Sequence, residues 1–198
     1  MPWVIPAVTS SIMSAGSGLG LVGPDFAKIA QAVAVTCQAV FLLPGTVVVT
    51  ATGAAGAGAI APGPPVTGIT PKTMADLMYV RMSATGMLGT QAYNQAMAIS
   101  TGVVSGVSTL VLTGPCPGVG AGVGMGKIVG FNNVLFSTTL YTNMASLGMF
   151  GINAIPLAAA IGDGVCLSLN AAGTVPGVPI VGPAGPAPAA TVFPAQFI

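Results

Sequence analysis

Between Tyr79 and Val107 the chain carries a segment that returns, without a gap, 62 positions later between Tyr141 and Leu169. Eleven of the 29 aligned pairs are identical, where so Ala-, Gly- and Val-rich a composition gives roughly three or four by chance. A unit of about sixty residues repeated in tandem buries its apolar face against its own copies, so the fold is built from like parts that share a core.

The N-terminal copy is more divergent. Met13-Ser-Ala-Gly-Ser-Gly-Leu-Gly20 matches Met82-Ser-Ala-Thr-Gly-Met-Leu-Gly89 at five of eight positions. A three-residue insertion around Gly23 and Pro24 then brings Ile29-Ala-Gln-Ala-Val33 over Gln95-Ala-Met-Ala-Ile99 and Leu157-Ala-Ala-Ala-Ile161. These matches set three units at about 8–70, 71–134 and 135–198 within a single domain, 1–198, with an extended C-terminal arm from about 183.

Each unit reads as helix, glycine turn, helix and extended arm. Met74 to Thr85 is rich in helix formers, and Thr73 before Asp76 has the spacing of a capping box. Gly86-Met-Leu-Gly89 and Gly148-Met-Phe-Gly151 suit a break between helices, because glycine takes positive φ without steric cost. Second helices are expected at about 28–42, 91–109 and 153–170, with Ala, Ser and Gly spaced for close backbone approach. The β-branched runs Thr46–Thr50 and Thr109–Thr113 favour strand. The Gly/Pro arms at 51–70, 114–130 and 173–198 are too broken for helix and too apolar for a solvated linker. The expected class is α+β: three helix-turn-helix repeats, each followed by a strand-like arm, sharing one core.

Asp25, Lys28, Lys72, Asp76, Arg81, Lys127 and Asp163 are all the charge there is, 4% of the chain, and His is absent. Soluble domains carry about 25% charged residues. A surface so poor in ions is expected to lie against lipid or other protein. A net charge of +1 without a basic cluster argues against nucleic acid, which needs several cations on one face. Cys37, Cys116 and Cys166 are odd in number and widely spaced, so they read as small apolar residues in a reducing compartment. The opening Met1-Pro-Trp-Val-Ile-Pro6 has no basic stretch and too much proline for a secretion signal.

Subtraction removes most chemistry. Gly118–Lys127 imitates a phosphate loop, but Ala121 stands where its first glycine belongs and Ile128 where its Ser or Thr belongs. The three Asp are far apart, and Asp163 is matched by Thr101 and Val35 in the other copies, which suits a helix-terminal or intersubunit contact more than an acid/base pair. Asp25 after Pro24 reads as a cap. No imidazole is present to activate a thiol, and no Cys/His or carboxylate group has ligand spacing. The ten methionines read as core. The expectation is therefore no catalytic, cofactor-binding or metal residues, no cofactor and no small-molecule substrate.

Two classes of role remain. Ala96 to Thr113 is a neutral run of 18 residues, the lower bound for a membrane span, but charge flanks and an aromatic belt are missing. Subunits of a large array tolerate low charge because most of their faces are covered, and three like units can match a threefold or sixfold partner. In its Gly/Ala/Val/Thr-rich composition, repeats and extended arms the chain resembles structural proteins of tailed-phage virions and phage-tail-like particles. That resemblance implies a non-enzymatic subunit, assembled in the host cytoplasm, whose partners are itself and other particle proteins; an integral membrane protein with Gly/Ala-packed helices is the alternative. As hypotheses, the second helices form the core between repeats and the arms make intersubunit contacts.

Overall fold

The computed structural model describes side chains for residues 4–40, 69–106, 134–149 and 151–167, and backbone alone for helix ends and short arm segments beyond them. Six helices form three hairpins: α1 (Ile5–Gly18) with α2 (Pro24–Phe41), α3 (Pro71–Ala84) with α4 (Thr90–Ser108), and α5 (Asn133–Ser146) with α6 (Ala154–Thr174). Each first helix is 14 residues long and buries three residues four apart on one stripe: Val8, Ile12 and Gly16; Met74, Met78 and Met82; Phe136, Leu140 and Met144. Side chains at that spacing stack along one helix face. The second helices answer with Ala30, Val33 and Cys37, with Ala96, Ile99 and Val103, and with Ala158, Ile161 and Val165. A fully buried side chain of this size stabilises by about 1.5–3 kcal/mol.

The hairpins close on themselves. α1 packs on α2, α2 on α3 and so on to α6, which packs back on α1 along the most extensive seam of all. Each junction between repeats pairs a second helix with the next first helix, so the helices form a six-membered ring with pseudo-threefold symmetry. The second helices thus share the core between repeats equally with the first.

This closure overturns the expected α+β class. Every described core residue lies on a helix or in a hairpin turn, and among the fully described residues there are six helices and no strand. The β-branched runs favour strand, but among the described residues the helix ring carries the whole core. Backbone ladders join arm segments, Val47–Thr52 with Thr191–Ala195 and Gly120–Val129 with Val178–Ala184. They carry none of the described core. The side chains of Cys116 and Lys127, most of the Gly/Pro arms and the final segment lie outside the described residues.

The turns reset the alignment of the first repeat. In α1 the amide of Leu21 donates to Gly16 O (2.8 Å) and that of Gly20 to Ser17 O (3.2 Å). The same pair of bonds runs from Met87 to Met82 and Gly86 to Ser83 (both 3.0 Å), and from Met149 to Met144 (2.9 Å) and Gly148 to Ala145 (3.0 Å). This is a Schellman ending, in which a left-handed residue lets two amides satisfy the last carbonyls; Gly20, Gly86 and Gly148 supply it at φ 80, 87 and 75°. Gly16 therefore corresponds to Met82, and no three-residue insertion exists. The true signature is Gly20-Leu-Val-Gly23, Gly86-Met-Leu-Gly89 and Gly148-Met-Phe-Gly151.

The α3 cap also differs from expectation. Thr70 is the N-cap, its hydroxyl accepting from the Thr73 amide (3.2 Å), with Pro71 opening the helix. Asp76 instead pairs with Lys72 one turn back.

Candidate interaction face

Because α4 and α5 run antiparallel, Gly102 opposite Leu140 and Gly106 opposite Phe136, the three turns gather at one end of the ring. Two cavities open there. One, of about 500 Å³, is lined by Gln91 and Gln95, the Gly148–Met149 turn, Asn153 and Leu157. The other, of about 380 Å³, is lined by Asp25 and Lys28 at the start of α2, Met87, Leu88, Gln91 and Met149. Asp25, Gln91 and Asn153 occupy the same position of the three repeats, so the mouth carries a repeated polar position at the head of each second helix.

Around those polar groups the turns present apolar side chains to solvent: Val22 is 79% exposed, its equivalent Leu88 70%, and Ile152 92%. Single exposed aliphatic residues are ordinary, but Val22 and Leu88 are equivalent by repeat, and with Ile152, which follows the third turn, they expose apolar surface at one end of the ring. Lys28 Nζ lies 2.9 Å from Asp25 Oδ1, so the mouth holds paired charge and side-chain amides.

Elsewhere the sequence-selected residues scatter. Asp25 is not the expected cap: it stands inside the first turn of α2, after Pro24, where it pairs with Lys28 and its charge suits the positive end of the helix. Asp163 and Cys166 lie midway along α6, lining with Ser10, Ser11 and Ser14 of α1 an open cleft of about 570 Å³. Cys37 is fully buried, and desolvation pushes its thiol up to about 12, which keeps it protonated. Asp76 accepts from Lys72 Nζ (2.7 Å) and Tyr93 Oη (2.9 Å), and Tyr93 meets Tyr79 edge-on with centroids 5.5 Å apart. These bonds hold the Asp76 carboxyl below its ordinary range and raise Lys72 and Tyr93. The cluster ties α3 to α4. Among the described residues no three His, Cys, Asp or Glu gather, and the Gly118–Lys127 segment has no described side chain.

Sequence reasoning missed the turn face. Its signal was available in the Gly-apolar-apolar-Gly pattern, whose second apolar position is solvent-facing in both described copies, Val22 and Leu88. Comparison of the chain with protein-family models, with curated proteins and with solved structures finds no match.

Proposed function

We propose that this protein is a non-enzymatic structural subunit of a multi-protein particle, docking through the turn end of its ring. The observation that carries the reading is the exposure of Val22, Leu88 and Ile152 at the three turns, the end of the ring where the two cavities open. Partner surfaces of this kind are apolar at their centre with polar groups satisfied at the edge. A pseudo-threefold ring offers three quasi-equivalent footholds, suited to contact with its own copies or with a threefold or sixfold neighbour. The chain's general likeness to phage structural proteins makes a virion or phage-tail-like particle the first assembly to test.

A membrane role keeps one specific support, the glycines at the seams, which also characterise helix contacts in lipid. Against it, the three first helices, of 14 residues each, span about 21 Å, less than the roughly 30 Å of a bilayer core. Among the described residues no helix is long and apolar enough to cross a membrane.

Sedimentation velocity of the purified chain in plain buffer, with and without mild detergent, tests the proposal alongside the double variant Val22→Asp, Leu88→Asp. A large detergent-resistant species that the variant reduces to monomer is the expected result. A freely soluble wild-type monomer at high concentration contradicts it, and dispersal of the wild type by detergent alone supports the membrane reading.

A further inference from the structure

We propose that the ring has one built-in opening point, the seam between α2 and α3. The repeats put the same two positions of each second helix against the next first helix. In α4 these are Gly102 and Gly106: a Cβ added to Gly102 would stand 2.8 Å from Leu140 Cβ and 3.1 Å from its Cα, and one added to Gly106 2.5 Å from the Phe136 ring. In α6 the first of them is Gly164, where an added Cβ would lie 2.7 Å from the backbone N and Cα of Ile12. At both seams the helix backbones meet because no side chain stands between them.

In α2 the corresponding residues are Thr36 and Val40, both β-branched and both buried. A branched carbon at each crossing holds α3 away, and α2–α3 is the least extensive junction of the ring. Across from it the repeat places Met74 and Met78 where the other seams have Phe136 and Leu140, or Val8 and Ile12. Unbranched methionines fill an irregular gap that stiffer side chains would leave open. The Thr36 hydroxyl has no hydrogen-bond partner among the described residues, which further weakens the closed state. Thr9 on α1 and Ser100 on α4 also hold unpartnered hydroxyls, so the orphan oxygen alone does not mark the seam; the β-branched pair does.

The chain compensates elsewhere. α2 and α3 are covalently linked through residues 42–70, as α4 and α5 are through 109–132, whereas α6 and α1, farthest apart in sequence, have the most extensive packing. A tethered pair tolerates weak contacts because its effective concentration is high. Opening at α2–α3 would leave hairpin one docked on hairpin three and let the ring spread to admit or release a neighbour.

Amide hydrogen exchange on the full-length chain tests this, since local opening is read directly as loss of protection. Exchange along the facing stretches of α2 and α3 is expected to be about tenfold faster than along α4–α5 and α6–α1. Thr36→Ala should slow it toward the level of the other seams. Gly102→Thr should make α4–α5 exchange fast in turn; the first two measurements stand whether or not that variant folds. Equal protection at all three seams in the wild type, faster exchange in Thr36→Ala, or an α4–α5 seam unmoved by Gly102→Thr in the folded variant would overturn the proposal.

Discussion

At the residue scale the ring depends on backbone angles that only glycine adopts freely. Gly86 and Gly148 sit at φ 87 and 75° with open space around them, so valine there is opposed by strain and not by collision. Each substitution should cost about 1–3 kcal/mol and lower the thermal midpoint. Gly151→Val should cost much less, because Gly151 is outside the left-handed region and has nothing within 4 Å of an added Cβ. The sequence alone suggested that Gly89 and Gly151 were equivalent in this respect; only Gly89, at φ 94°, behaves as expected.

A second residue-scale test comes from how the repeats fill the same space. Phe26 lies on Gly16, its ring 2.2 Å from where a Cβ would be. The equivalent pairs are Met82 with Ala92 and Met144 with Ala154, large and small exchanged. Gly16→Met alone should destabilise by about 1–3 kcal/mol or more through overpacking, and Phe26→Ala by about 3–5 kcal/mol through the cavity it leaves. Together they recreate the pairing of the other repeats, so the double variant should be more stable than the sum predicts, by at least ~1 kcal/mol in denaturant titrations. Strict additivity would reject the correspondence of Gly16 with Met82.

At the scale of elements, the Lys72–Asp76–Tyr93 cluster links the two helices of the second hairpin. The Asp76 carboxyl is held below its ordinary value of 3.8 by the hydrogen bonds from Lys72 and Tyr93. Its contribution is therefore complete above that value and is lost as pH falls through the lowered one. Lys72 and Tyr93 are raised from 10.5 and 10.0, so their share fades only in strong alkali. Urea midpoints should be level near neutrality and fall below about pH 4, and Asp76→Asn should flatten that acid-side fall. The cluster is exposed and its effect small.

Much of this element-level structure could be read from the chain. The second helices were foreseen close to Pro24–Phe41, Thr90–Ser108 and Ala154–Thr174, because ungapped identity and small-residue spacing both report helix packing. The first repeat was misplaced because Met13-Ser-Ala imitates Met82-Ser-Ala. Local identity outweighed the turn glycines, which the backbone obeys. Thr73 has the capping-box spacing to Asp76, yet Thr70 before Pro71 stops the incoming chain first.

For the molecule as a whole, the α6–α1 junction was not legible at all, since residues as distant as Ile12 and Gly164 leave no local pattern when they touch. Without that closure the helices could equally form an open row. The candidate face escaped notice for the same reason: Val22, Leu88 and Ile152 form one rim only when the hairpins curve into a ring.

Ring closure is the claim on which the candidate face, the seams and the proposed function all rest. Electron–electron resonance between spin labels at Ser14 and Leu167, in a background with the native cysteines replaced by serine, measures it. Both positions are exposed and line one cleft. With helix axes 8–10 Å apart, the account predicts a single narrow distribution centred below about 25 Å, whereas a distribution near about 50 Å, five helix spacings of an open row, would contradict it.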